Sequence, residues 1–267
     1  MAFPRSIQVV LAGLGLGFGA CGERVPPSDA GAQPNAASFA SSPAPLPVAM
    51  ETDTGANPND LRPCPRETGL ISDGEIGPNR TNPIEGRGGY WYTYTDDKGS
   101  EVSPLSGEKG GTFTMADGGA NGTAHAARMT GQLGTAQIIY AGMGLAFLDP
   151  KGEYNATKYK GISFWAKKGS PDSAKSVRLK VPDHNTDPEG KVCSECFNDF
   201  GEYLELTDEW KKFTVAFAAM KQQSDWGKPR PRAIATDALF GIQFQVDDYA
   251  KKFDIWVDEV EFTGCSR

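Results

Sequence analysis

The sequence predicts an all-β fold, an antiparallel sandwich of two sheets, on three observations. Turn residues recur roughly every ten to fifteen positions beyond residue 60, and the runs between them alternate apolar and polar side chains. Hardly any stretch carries the 3.6-residue period of an amphipathic helix. The run Tyr90-Trp91-Tyr92-Thr93-Tyr94 gives aromatic rings to both faces of one strand, so that one face is core and the other needs a different purpose.

Taken in chain order, residues 1–20 read as a secretory signal, with Arg5 followed by an uncharged apolar run from Val9 to Ala20. That run is too short to span a bilayer, which needs about 20 residues. Phe18-Gly19-Ala20-Cys21 resembles a bacterial lipobox, in which Cys21 becomes the lipidated first residue; the other reading is an ordinary cleaved signal that leaves Cys21 as a free thiol. Gly22 after the cysteine fits sorting to an outer membrane. Residues 21–60 then hold Pro26, Pro27, Pro34, Pro43, Pro45, Pro47 and Pro58 among Ala and Ser, the composition of a disordered tether. As a flexible coil it spans roughly 35 Å, enough to lift a domain off a lipid surface. Residues 61–267 are one domain's length for an all-β fold.

Four cysteines remain in that domain. Cys64 and Cys265 stand at its two ends, which usually lie together in a sandwich, so a bridge between them is expected. Cys193-Ser194-Glu195-Cys196 admits a local disulfide, a metal site or a redox motif. Metal needs two further ligands, and only His125 and His184 exist. A redox motif needs a strand-to-helix context.

The expected strands are Thr68 to Ser72, Tyr90 to Thr95, Gly111 to Met115, Ala124 to Thr130, Gln137 to Ala141, Gly144 to Leu148, Gly161 to Lys167, Ser176 to Val181, Tyr203 to Leu206, Lys211 to Ala216, Gly241 to Val246 and Phe253 to Thr263, with a short helix over Phe217 to Gln222. Alternation assigns faces. Trp91 and Thr93 point one way, and Tyr90, Tyr92, Tyr94 and Asp96 the other. Val177, Leu179 and Val181 face the core while Arg178 and Lys180 face out; Ile242, Phe244 and Val246 are core while Gln243, Gln245 and Asp247 share the opposite face. Ile162, Phe164 and Ala166 are core, which puts Ser163, Trp165 and Lys167 opposite. Flat rings with hydroxyl tips beside amides, Arg and carboxylates suit sugars, which offer C–H patches for stacking and hydroxyls for hydrogen bonds. The bland reading is a solvated outer face.

The loop Pro182-Asp183-His184-Asn185-Thr186-Asp187-Pro188-Glu189-Gly190 is the densest polar stretch. It leaves the strand that carries Arg178 and Lys180, so it is expected to wall that surface through Asp183, Asn185 and Asp187, pinned by Cys193 and Cys196. The alternative is a set of turns that satisfy their own backbone.

The aromatic strand, the strand Tyr159-Lys160-Gly161-Ile162-Ser163-Phe164-Trp165-Ala166, the segment Trp210-Lys211-Lys212-Phe213-Thr214-Val215 and the terminal Phe253-Asp254-Ile255-Trp256-Val257-Asp258-Glu259-Val260-Glu261-Phe262 together resemble the galactose-binding-like β-jelly rolls, closest to family 11 carbohydrate-binding modules. The likeness covers most of residues 66–264. It implies a two-sheet jelly roll whose concave face binds sugar chains, and a structural calcium where first and last strands meet, with Glu75 and Asp258 as its carboxylate ligands.

The formal charge of −7, or −8 without the signal and its Arg5, does not suit a nucleic-acid partner. No carboxylate pair, nucleophile elbow or histidine arrangement stands out as catalytic. The expected function is noncatalytic binding of a poly- or oligosaccharide by an exported, lipid-anchored monomer. The alternatives are a surface module that contacts a protein partner, and a polysaccharide hydrolase or lyase.

Overall fold

A computed structural model describes residues 61–249 and 251–265. The expected signal, Cys21 and the tether lie outside the described residues. The described strands, in chain order, are β1 (Leu70–Ser72), β2 (Trp91–Thr95), β3 (Glu101–Ser103), β4 (Ala116–Asp117), β5 (His125–Gln132), β6 (Ala141–Ala146), β7 (Gly161–Lys168), β8 (Ser176–Val181), β9 (Phe200–Glu205), β10 (Lys211–Ala216), β11 (Gly241–Val246) and β12 (Lys252–Thr263). One antiparallel sheet runs β10-β7-β12-β5-β3, with β1 beside β12 and β4 beside β5; the other runs β2-β6-β11-β8-β9. Apart from the consecutive pairs β4–β5 and β8–β9, sheet neighbours are not consecutive in sequence, so strands cross repeatedly from one sheet to the other, as a jelly roll requires.

The core is the set of inward alternates from both sheets. Trp91, Met143, Leu145, Leu179 and Phe244 face it from the five-stranded sheet, and Met129, Ile162, Phe164, Ile255 and Phe262 from the other. Phe164 of β7 meets Phe244 of β11 edge to face, with centroids 4.9 Å apart, which ties the sheets together at their centre. Trp91 stacks on Phe113 and donates its indole N–H to Ser72 Oγ at 2.9 Å, so its polar atom is satisfied despite full burial. Cys64–Cys265 and Cys193–Cys196 are both bridged, the first across 201 positions, worth on the order of 5 kcal/mol in the chain-entropy model.

The expected elements differ from the structure in three places. Gly111 to Met115 is not a strand, because Lys109, Gly110 and Gly111 all take positive φ in a tight turn. Gln137 to Ala141 and Gly144 to Leu148 are replaced by the single β6, in which Gly142 and Gly144 are interior residues and not turn residues. The helix over Phe217 to Gln222 shortens to one 3-10 turn, Phe217–Ala219.

Candidate binding cleft

The outer face of the five-stranded sheet floors a cleft of about 950 Å³. Register aligns two rows of side chains across it. The first runs Tyr92, Gly144, Gln243, Lys180, Gly201, and the second runs Tyr94, Gly142, Gln245, Arg178, Tyr203. Glycine at two successive outward positions of β6 leaves a trough with no side chains, and the tyrosine rings of β2 lie into it. A Cβ on Gly144 would come within 3.0 Å of Tyr92 Cζ, and one on Gly142 would collide with the Tyr94 ring itself. The rings therefore lie over the sheet, forming part of the cleft floor.

Tyr90, Tyr92, Tyr94 and Tyr140 continue as a row, with centroid separations of 6.3, 6.3 and 6.1 Å. Gln243 Nε2 donates to Tyr92 Oη at 3.0 Å, which fixes that ring beside an amide. Burial pushes the Tyr92 and Tyr94 hydroxyls well above the ordinary tyrosine range, so both stay protonated. Tyr94 Oη is buried without a partner among the described residues.

The charges around the cleft are matched within it. Arg178 is buried, with its guanidinium donating to the carbonyls of Asp199 and Lys221 at 2.9 and 3.1 Å, and burial lowers its pKa. Lys180 Nζ lies 3.1 Å from Asp199 Oδ2 and donates to Gln245 Oε1 at 3.3 Å. The Asp199 contact is electrostatic and not an aligned hydrogen bond, since both Asp199 oxygens lack one. Lys151 Nζ pairs with Asp187 Oδ2 at 2.6 Å. Tyr203 donates to Asp247 Oδ2 at 2.7 Å, and burial together with that bond pushes its pKa up to about 12. Amides, phenols and ring faces are left to meet a ligand.

Seven of the ten residues expected from sequence line this cleft: Tyr92, Tyr94, Arg178, Asp187, Gln243, Gln245 and Asp247. Three do not. Trp165 sits on β7, in the opposite sheet, where it pairs across to Lys212 and Asp258. Its alternation is as expected, but alternation does not say which sheet a strand joins. Asp183 is fully buried and accepts from Asn185 N, Thr186 Oγ1 and Ala235 N, so it is a turn-former, and Asn185 follows it in that turn. Asp187 also caps the following 3-10 turn through Glu189 N. Asp96, grouped with the tyrosines by alternation, instead accepts from Lys98 N, Ser100 Oγ and Tyr140 N beyond the end of β2.

Sequence reasoning missed Tyr140, Tyr203, Phe197 and Trp226. Tyr203 was legible, since alternation along Phe200–Glu205 sets it opposite the core residues Phe200 and Leu204. Phe197 and Trp226 lie in loops, where no period assigns a side.

Glu75 and Asp258 do not fit a calcium shell. Asp258 is buried and accepts from Ala120 N, Thr123 Oγ1 and Glu259 N at 2.7, 2.6 and 2.7 Å. Glu75 Oε1 accepts from Ala124 N and His125 N, both at 2.8 Å. Both carboxylates thus accept from donors of the 120–125 segment, and Asp258 also from Glu259 N of its own strand, whereas calcium needs six to eight converging oxygens. Among the described residues no group of three or more His, Cys, Asp or Glu converges as a metal site. Where first and last strands meet, the Arg66 guanidinium instead bridges Asp73 and Glu259 at 2.8 and 2.9 Å.

The fold is that of the carbohydrate-binding-module β-sandwich. It is similar to the family 11 carbohydrate-binding module of a cellulosomal cellulase of Clostridium thermocellum, with a TM-score of 0.50 and 17% identity over 73% of this chain and 93% of that one. It is equally similar to a family 11 module from Clostridium thermocellum in complex with a β-1,3-1,4-mixed-linked tetrasaccharide, with a TM-score of 0.50 and 18% identity over 74% of this chain and 97% of that one. No family model and no curated protein sequence matches the chain.

Proposed function

We propose that this chain is a noncatalytic glycan-binding module that holds a poly- or oligosaccharide in the cleft of the five-stranded sheet. The observation that carries the reading is the tyrosine row laid into the Gly142–Gly144 trough beside Gln243 and Gln245. Ring faces at spacings near 6 Å stack on the C–H faces of successive sugars, and the amides bond their hydroxyls. The module of similar fold that was solved with a mixed-linked tetrasaccharide supports this choice of ligand class. A noncatalytic role is supported by the acidic groups around the cleft, since Asp187, Asp199 and Asp247 each meet a lysine or a tyrosine and none stands free as an acid or nucleophile.

The test is affinity electrophoresis of the full chain against soluble mixed-linkage β-glucan, xylan and galactan. Retardation by at least one glycan, with no release of reducing ends, is the expected result. Migration unchanged by all three contradicts the reading.

Export and lipid anchoring belong to the same proposal. Two disulfides support an oxidising compartment, in which they persist. Cys21 would then hold the chain to the cell envelope, with residues 22–60 as the tether. Labelling with radioactive palmitate in a bacterial host should mark the wild type and not Cys21→Ser; equal labelling, or none in either, contradicts anchoring at that residue.

A further inference from the structure

Two exposed rings overhang the cleft from loops outside the sheet. Phe197 is 57% exposed and Trp226 is 41% exposed, and both line the cleft on the side away from β2. Both are large apolar rings open to solvent at a concave site.

Their backbone is held with unusual thoroughness for loop residues. Asn198, almost fully buried, donates from Nδ2 to the carbonyls of Gln223 and Trp226 at 3.0 and 2.6 Å and accepts at Oδ1 from Gln223 N at 2.9 Å. Gly227 packs so closely on that side chain that a Cβ would sit 2.6 Å from Asn198 Cβ, and its φ of +88° is one that L side chains rarely adopt. The Trp226 indole donates to Gln223 Oε1 at 3.2 Å, and Gln223 Nε2 donates to Tyr203 Oη at 2.8 Å, so the loop is tied to the cleft floor. On the other flank, the Cys193–Cys196 disulfide closes a loop whose Ser194 N–H and Glu195 carbonyl pair with Lys228, two residues from Trp226. Phe197 follows directly, at φ +73°, with its N–H on the Thr186 carbonyl at 2.8 Å.

We infer that Phe197 and Trp226 form a second aromatic wall of the cleft, facing the same glycan chain as the tyrosine floor. Asn198 and the Cys193–Cys196 disulfide are its positioning elements. The inference rests on the glycan-binding reading and adds that the wall contributes affinity and that the disulfide serves the ligand through these two rings. Neither ring is needed by the sandwich core, so removing one is a test of contact and not of folding.

The experiment is a double-mutant cycle on the full chain, read by affinity electrophoresis against soluble mixed-linkage β-glucan, xylan and galactan, with urea unfolding alongside. Trp226→Ala is expected to weaken retention about tenfold or more at an unchanged unfolding midpoint. The double variant Cys193→Ser with Cys196→Ser is expected to weaken retention in the wild-type background and to add little in a background that carries both Phe197→Ala and Trp226→Ala, which a purely structural disulfide would not do. Wild-type retention in both Trp226→Ala and Phe197→Ala overturns the wall, a readout that stands even if the cysteine variant fails to fold. An equal loss from the cysteine variant in both backgrounds overturns the positioning role. If the wild-type chain is retained by none of the three glycans, the glycan reading fails, and the wall falls with it.

Discussion

Tyr94 buries its hydroxyl over Gly142 with no hydrogen-bond partner among the described residues, a costly arrangement. Deleting that hydroxyl removes a desolvation cost and keeps the ring. Tyr94→Phe should therefore unfold in urea at the same or a higher midpoint, with a gain of up to about 1 kcal/mol; a loss of stability would show that the hydroxyl has a partner in solution. Side-chain direction at this scale was readable where a clean period exists. The outward placement of Tyr92, Tyr94, Gln243, Gln245 and Asp247 follows from alternation alone, and so does the inward placement of Trp91 and Phe244. Depth was not readable. Arg178 and Lys180 do leave the core side of β8, yet both are buried, because the Asp199 and Lys221 segments close over them.

At the scale of elements, β6 is where the sequence misled and where the site is made. Ala141-Gly-Met-Gly reads as a break between two strands, since glycine weakens a strand interior. It is instead continuous, because the tyrosines of β2 fill the volume that side chains would occupy, a compensation that lies in another segment and leaves no local trace. Gly142→Ala should lift the Tyr94 ring out of the trough and reduce glycan retention severalfold, with a far smaller effect on unfolding than a core substitution would have. Unchanged retention would separate the trough from binding. β7 shows the complementary limit. Its ends and faces were legible to within a residue, but its membership of the opposite sheet depends on pairing with β10 and β12, so Trp165 was placed on the wrong surface.

For the molecule as a whole, the junction of first and last strands is held by the Arg66 bridge to Asp73 and Glu259 and by the buried Asp258 carboxylate. Burial raises the Asp258 carboxyl to about 6, against an unfolded value near 4. The folded state therefore binds this proton more tightly than the unfolded chain does, so its contribution makes stability fall as pH rises from about 4 to about 6 and stay level above. Two pH units correspond to about 3 kcal/mol at most, and urea unfolding at pH 5 and pH 7 should show a higher midpoint at pH 5 that Asp258→Asn abolishes. The same slope in the variant would assign it to other groups. The two end-to-end features that span the molecule, the Cys64–Cys265 bridge and the sandwich class itself, were both legible, because they depend on chain order and period and not on loop conformation. The loops that wall the cleft were not. The central claim is that the tyrosine floor binds a glycan, and it is tested most directly by titrating the glycan retained by the wild type against Tyr92→Ala, with urea unfolding of both. The expected result is a loss of about 1–3 kcal/mol in binding, together with a stability loss well below the roughly 3–5 kcal/mol of a core ring. Wild-type affinity in Tyr92→Ala, or a binding loss that only tracks unfolding, would contradict it.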